Sequence, residues 1–312
     1  MNSNDMGLAP EKLALPRQAL EQPFDPATRF PERMSRGLRR FARQRPVATF
    51  WLGVAVVMVL VAVLAPVIAP DNPNQPDFLN IQAPPSGEAW FGTDQMGRDT
   101  FSRAVYGGRV SLFIAIASVS TGTAVGGIFG ILGGYLGGKF DLLTQRFLEV
   151  LMAIPTLVLA ILLVMGIGAG APAVIIAIAI TRIPTTSRVL RAVVLSVRES
   201  QYVDSARSIG ASPLRIIFIH IAPHTFAPFI VIFTASLGTA ILIEASLAFL
   251  GLGVAPPTAS WGAMLGEAAV TLIPYWWLVA FPGLMIAITV LAFNLLGDGL
   301  RDVLDPKTRD RL

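Results

Sequence analysis

Tyr202-Val-Asp-Ser-Ala-Arg-Ser-Ile-Gly-Ala-Ser-Pro-Leu-Arg-Ile-Ile-Phe-Ile-His-Ile-Ala-Pro223 is a polar stretch set between long apolar segments. Val203, Ala206 and Ile209 recur at i, i+3 and i+6, which predicts a short helix with one apolar stripe. Asp204, Arg207 and Ser208 fall away from that stripe. Gly210 stands where a helix can end in the left-handed conformation. Ser212 then caps the next helix, with Pro213 in its first turn. The expected unit is a helix-turn-helix elbow over about 200–212, carried by Tyr202, Val203, Asp204, Ser205, Ala206, Arg207, Ile209, Gly210 and Ala211. A helix resting on lipid headgroups would be rich in Lys and Arg, and this one has Arg207 alone. An elbow this ordered is a docking surface rather than a tether.

The flanks define the class. Of the 312 residues, 54% are hydrophobic and 14% charged, against about 25% charged in an ordinary soluble domain. Uncharged runs cover 46–70, 110–138, 150–181, 216–243, 245–266 and 268–297. A bilayer-spanning helix needs about 20 apolar residues, and a core of this size cannot hide so many runs. The chain therefore reads as an all-α integral membrane protein with six spans, at about 48–69, 110–136, 147–167, 172–192, 217–250 and 276–297. Pro223 and Pro228 predict that the fifth is broken or tilted.

Lys and Arg set the orientation. Nine precede the first span, two lie in 137–146, five in 188–215 and four after 297. The alternate segments hold only Arg98, Arg103 and Arg109. This bias puts both termini and the elbow in the cytoplasm. Some 45 residues precede the first apolar run, which is longer than 20 residues. A cleaved signal has a core of only about 7–15 residues, so 46–70 is expected to be an uncleaved anchor. Residues 1–30 are Pro-rich and polar and are expected to be a disordered cytoplasmic tail. Over 31–45, Met34, Leu38 and Phe41 share a face and Arg33, Arg36, Arg39, Arg40 and Arg43 fill the rest, the pattern of an interfacial amphipathic helix. Residues 71–109 form an extracytoplasmic segment, 110–306 the core of five spans, and 307–312 a second cytoplasmic tail. Trp261, Trp276 and Trp277 fit an outer aromatic belt.

Several chemistries are excluded. There is no cysteine, hence no disulfide, thiolate nucleophile or cysteine metal site. Gly133-Gly-Tyr-Leu-Gly-Gly138-Lys139 matches the phosphate-loop pattern, but Phe140 stands where the Mg²⁺-binding Ser or Thr belongs, and the segment ends a membrane helix. No other phosphate loop exists, so the chain is expected not to hydrolyse a nucleotide. His220 and His224 share a helical face without a third metal ligand nearby. No paired carboxylates or Ser/His pair support an intramembrane enzyme. Asp298, Arg301 and Asp302 have the spacing of helix-surface ion pairs.

Three features carry candidate function inside the membrane. Gly122, Gly126, Gly130, Gly134 and Gly138 recur every four residues, leaving one side of the second span bare. Such a side lets backbones approach in lipid, and the sequence leaves open whether it meets another span or a partner subunit. Glu244 and Arg182 are charges within spans, where an ion costs about 3 kcal/mol or more. Either they line a path and contact peptide termini, or they form a structural pair or reach the interface.

Asp204-Ser-Ala206, Gly210 and His220-Ile-Ala-Pro223 resemble the E-A-A…G…I-x-L-P loop of ABC importer permeases. Asp204 and Ser205 replace Glu and the first Ala, and Ala222 replaces Leu; the charge sign and the glycine spacing are kept. Phe91-Gly-Thr-Asp-Gln-Met-Gly-Arg-Asp-Thr-Phe-Ser-Arg103, Tyr106-Gly-Gly-Arg-Val-Ser-Leu112, Glu244-Ala-Ser-Leu-Ala-Phe-Leu-Gly-Leu-Gly253, Pro256-Pro-Thr-Ala-Ser-Trp-Gly-Ala-Met264 and Ala292-Phe-Asn-Leu-Leu-Gly-Asp-Gly-Leu-Arg-Asp-Val-Leu-Asp-Pro306 extend the likeness over roughly 45–306. Together they resemble the second, C-type permease subunit of dipeptide, oligopeptide and glutathione importers. The resemblance implies a type I ABC importer permease fold and a bacterial inner-membrane location. It also implies a heterodimer with a second homologous permease, two ATPase subunits that carry ATP and Mg²⁺, and a periplasmic or lipid-anchored substrate-binding protein. Membrane lipid is the surrounding partner, and no nucleic acid or cofactor of the chain's own is implied. The elbow becomes the coupling helix seated in an ATPase cleft. Di- and oligopeptides, glutathione, nickel chelates and other small solutes use permeases of this kind. The competing class is a stand-alone secondary transporter or channel, which would leave the elbow unexplained and often shows inverted repeats; none is visible.

Overall fold

The computed structural model describes residues 45–271 and 275–304. The expected tails at 1–30 and 307–312 and the interfacial helix at 31–45, apart from Arg45, lie outside the described residues. Regular structure among the described residues is helical: α1 (Pro46–Val63), α2 (Ala65–Ile68), α3 (Thr100–Leu136), α4 (Gly138–Met152), α5 (Thr156–Ile167), α6 (Ala171–Arg198), α7 (Gln201–Ser208), α8 (Pro213–Phe249), α9 (Trp261–Ala269) and α10 (Trp276–Leu304). Helices α1, α3, α6, α8 and α10 are each long and apolar enough to cross a membrane.

The third expected span is corrected. Residues 147–167 do not form one helix; α4 and α5 meet at 94° across a short break. Pro155 causes it, because a proline disfavours the helical conformation of the residue before it, here Ile154. The cytoplasmic segment expected at 137–146 is mostly helical, as the first turns of α4. The fifth span departs in the opposite sense and continues through both prolines. Its second turn widens over Ile216–Ile221, where the Ala222 N–H reaches back to Ile217 O. Pro223, which has no N–H, follows directly, so the looser turn accommodates it.

Helix α3 starts on Asp99, whose carboxylate accepts from Ser102 N at 2.7 Å. It runs 37 residues, or about 55 Å, to Gly137 at φ +65°. Its partner along most of this length is α6. Helix α8 packs on α10, α3 and α6, α10 packs on α1, and α5 packs on α6. The main core joins Ile114, Val119, Val164, Val174, Ile178, Ile241 and Leu247.

At the end of the bundle where α3 begins, residues 69–99 fold onto α9. Asp94 accepts from the backbone N–H of Met96 and Arg98 at 2.9 and 3.0 Å. Gly97, at φ +73°, lies on the backbone of Asp77 so closely that a Cβ would fall 1.7 Å from the Asp77 carbonyl oxygen. Arg98 and Arg103 are buried and bridge Asp94 to Glu267 of α9, with contacts of 2.6 to 3.2 Å. Two cations therefore meet two carboxylates. Two of the three arginines on the side opposite the charge bias are thus neutralised within the fold.

The aromatic belt is corrected as well. Trp276 is exposed, but Trp261 and Trp277 are buried. The Trp261 indole N–H donates to Ala104 O at 2.8 Å and that of Trp277 donates to Thr93 O at 3.5 Å. Asp302 forms an ion pair with Arg45 at 3.1 Å, tying the end of α10 to the start of α1.

Candidate functional site: the α7 elbow and charged residues of the spans

The elbow closes as its chemistry dictates. Gly210 is at φ +81°. Its N–H bonds Arg207 O at 2.9 Å, and the Ala211 N–H bonds Ala206 O at 3.0 Å. These are the paired bonds of a Schellman cap, which satisfy the last carbonyls of α7. Ser212 accepts from Arg215 N at 3.4 Å and starts α8.

Helix α7 has two different sides. Val203 is fully buried and Ala206 nearly so. Val203 joins Val194 of α6 and Ile216 and Ile221 of α8, with Ile131 and Tyr135 of α3, Val197 and Ala211 packed around them. The short helix is thereby fixed to the ends of three spans at once. Tyr202 adds a polar tie: its hydroxyl donates to His220 O at 3.2 Å and lies 3.1 Å from His224 Nε2. The two histidines thus meet the elbow, and among the described residues no group of three side chains is placed to hold a metal.

The other side faces outward. Asp204, Ser205, Arg207 and Ser208 are exposed, with Arg207 and Asp204 paired at 3.1 Å. Ile209 departs from the expected stripe, being 86% exposed. The stripe reaches only two positions because the chain leaves the helix at Ile209, its C-cap. An apolar side chain thus stands free beside an ion pair on the outward surface of the elbow.

Of the glycine series, Gly122, Gly126, Gly130 and Gly134 meet α6 within this chain. A Cβ on them would come within 2.5 to 2.8 Å of Ala179 O, Ile183 O, Ser187 O and Val194 Cβ respectively. Gly138 does not take part: nothing lies within 4 Å of it, and it sits at φ +57° in the bend into α4.

Glu244 and Arg182 are not brought together. Glu244 is 1% exposed. Its surroundings supply the hydroxyls of Ser111 on α3 and Ser260 at the start of α9, although neither carboxylate oxygen is in a well-formed hydrogen bond. Gly262 of α9 sits on the Ala245 backbone, where a Cβ would fall 2.4 Å from Ala245 O. The acid thus lies enclosed where α3, α8 and α9 meet. Arg182 is half-buried on α6 and donates to Thr239 Oγ1 of α8 at 3.0 Å and to Thr181 Oγ1 at 3.4 Å. Sequence reasoning missed Ser111, Ser260, Thr239 and Glu267. Ser111 and Ser260 fall inside the quoted motif segments, and Glu267 is the single charge between the runs 245–266 and 268–297; Thr239 left no signal.

A bundle of long spans with a short helix fixed across their ends is the build of an importer's membrane-embedded permease. The chain belongs to the family of binding-protein-dependent transport system inner membrane components, whose model matches residues 126–310. The N-terminal transmembrane domain of oligopeptide transport permease C matches residues 33–85. The chain is 46% identical over 272 residues to the glutathione transport system permease protein GsiD of Escherichia coli O1:K1, covering 87% of this chain and 89% of that one. The same identity and coverage hold for GsiD of Shigella boydii serotype 4. Among solved structures, the MetNI methionine ABC transporter in inward-facing conformations matches with a TM-score of 0.52 and 16% identity, over 65% of this chain and 96% of that chain. That likeness establishes the type I ABC importer permease fold. The protein is a multi-pass inner-membrane permease subunit of an ABC importer.

Proposed function

We propose that this chain forms half of the transmembrane path of an ATP-driven importer of peptides, with glutathione-like cargo favoured by the names of its relatives. The second half of the path comes from another, homologous permease. Two ATPase subunits hold ATP and Mg²⁺ and bind below, and a substrate-binding protein delivers cargo to 71–109 and 251–275 from outside. Both termini and the elbow face the cytoplasm, in keeping with the Lys and Arg distribution.

The observation that carries the mechanism is the two-sided build of α7. Val203 fixes it to α3, α6 and α8, while Asp204, Arg207 and Ile209 face outward. A helix held this way moves as a lever: a displacement by the ATPase reaches three spans through one buried contact. ATP does this work only if the closed ATPase pair binds one permease conformation better than the other; equal affinity shifts nothing.

The absence of cysteine gives a direct test. In the assembled complex, Arg207→Cys labelled with a benzophenone maleimide is expected to photo-crosslink to an ATPase subunit, with a yield that changes on adding ATP. Labelling of lipid alone would return the elbow to a helix lying on headgroups.

A further inference from the structure

Arg182 is a cation midway along a membrane helix, and among the described residues its neighbours offer no anion. Its two recorded partners are the hydroxyls of Thr239 and Thr181. Among the described residues it forms no ion pair. A guanidinium has five N–H donors, so most of its donor capacity is left over. Glu244 does not supply the missing charge, since it is enclosed at the junction with Ser111 and Ser260.

The surface around Arg182 has a direction. The first turns of α6 are covered by α5, with Ala173, Val174, Ala177 and Ile178 buried. Beyond them one side of α6 is open, and Thr181, Arg182, Thr185 and Arg188 wind along it toward the α7 end. Arg188 is exposed and also forms no ion pair among the described residues. The other arginines nearby are compensated: Arg191 by Asp141, through bonds of 2.6 and 2.5 Å, and Arg146 by Glu149 at 2.9 Å. A polar recess of about 720 Å³ opens at the α7 end of the strip, lined by Asp141, Gln145, Arg146, Glu149, Arg188 and Arg191 among others; its two carboxylates are the ones paired with Arg191 and Arg146, which leaves Arg188 as its cation without a partner among the described residues. Arg182, an uncompensated cation within a span, is costly against lipid tails, and such a residue faces a water-filled cavity; Arg188 stands at the cytoplasmic end of the strip, among the Lys and Arg that set the orientation.

We infer that this strip binds the carboxylate of the cargo in two successive places, at Arg182 with the Thr181 and Thr239 hydroxyls beside it, and then at Arg188. The inference rests on the permease reading and adds a cargo class to it: small molecules with a free carboxylate. Arg presents a planar fork that matches a carboxylate through two charge-assisted hydrogen bonds. Two sites in series, each of modest strength, let the anion enter and still leave. Glu244 takes no part, and an amidated or esterified cargo loses the contact.

The test uses the cysteine-free chain in its assembled complex, reconstituted with cysteine-free partners and given glutathione as the probe. Arg182→Cys is expected to lower ATP-driven uptake roughly ten- to hundredfold, the range for losing a charged hydrogen bond. Reaction with 2-aminoethyl methanethiosulfonate, which restores an ammonium group, is expected to recover much of the uptake. The sulfonate-bearing and methyl reagents are expected not to. Arg188→Cys, at an exposed position whose change leaves the packing intact, repeats the series should Arg182→Cys fail to assemble. Wild-type uptake in both cysteine variants, or equal recovery with the ammonium and methyl reagents, would overturn the inference. Absence of ATP-driven glutathione uptake by the unmodified complex would instead strike down the cargo proposed above, independently of the strip.

Discussion

Val203→Asp is expected to abolish transport while the spans remain inserted. Val203 is fully buried where α7 meets Val194, Ile216 and Ile221. Removing its side chain forfeits about 2 kcal/mol of apolar burial, and an unpaired carboxylate in its place adds a few kcal/mol more. The sum, on the order of 4 kcal/mol, is about a thousandfold in the balance between docked and undocked elbow. The lesion is local, since the main core around Ile114, Ile178 and Ile241 is a separate cluster. Membrane abundance should therefore hold, the ATPase should keep turning over, and uptake should fall to background. Ile209→Asp separates the two sides of the helix. Ile209 is 86% exposed, so this change leaves the anchor intact and is expected to weaken retention of the ATPase instead. Pulldown of the ATPase and uptake, measured on both variants, distinguish a severed lever from a lost docking contact. Full coupling in Val203→Asp would show that α7 transmits nothing.

Gly126→Val is expected to prevent the bundle from forming. A Cβ at Gly126 would sit 2.7 Å from Ile183 O and 2.9 Å from Thr186 Cβ. Ile183 presents backbone there, which has no rotamer to change, so α3 and α6 must separate. Close approach over small residues is what holds helices together in lipid, where burial of apolar side chains gives little drive. Overpacking costs about 1–3 kcal/mol even where neighbours can shift. Here one separation opens the contacts at Gly122, Gly130 and Gly134 together. Gly53→Ala is the matched control, because nothing lies within 4 Å of Gly53. It should be neutral or stabilising by up to about 1 kcal/mol through helix propensity. The fraction of protein that stays monodisperse on heating in detergent reports both. Equal behaviour of the two variants would mean that the glycine series is not a packing surface.

Much of this architecture is legible in the residues. Five of the six spans follow from uncharged runs, and the elbow follows from Gly210 and Ser212-Pro213. What escaped was set by partners distant in sequence. The Phe91–Arg103 motif reads as part of an outside segment, and nothing near it in sequence shows that Arg98 and Arg103 are buried against Glu267, some 165 residues further on. The Trp residues read as a belt because amphipathic rings favour interfaces, yet Trp261 and Trp277 find backbone acceptors inside the fold. Helix α9 was hidden because it starts inside the uncharged run 245–266, directly after the fifth span, and ends past Glu267. The break between α4 and α5 had local signals in Pro155 and in the charges Lys139, Asp141, Arg146 and Glu149 of α4, but neither says whether the chain continues past the proline or turns by 94°. Pro223 shows the opposite outcome, absorbed by the widened turn at Ile216–Ile221. Of the two charges within the spans, the sequence shows only their depth. Their separate settings, Glu244 among serine hydroxyls and Arg182 on an open strip, depend on how α3, α6, α8 and α9 pack.

In the proposed mechanism this chain works only as part of an ATP-driven assembly, through the elbow at α7. Uptake of labelled glutathione into proteoliposomes tests it most directly, with this chain reconstituted alone and with its partner permease, ATPase subunits and binding protein. Accumulation is expected only in the complete assembly, dependent on ATP and on the binding protein, and lost in Val203→Asp. Accumulation by this chain alone, driven by an ion gradient and indifferent to ATP, would contradict it.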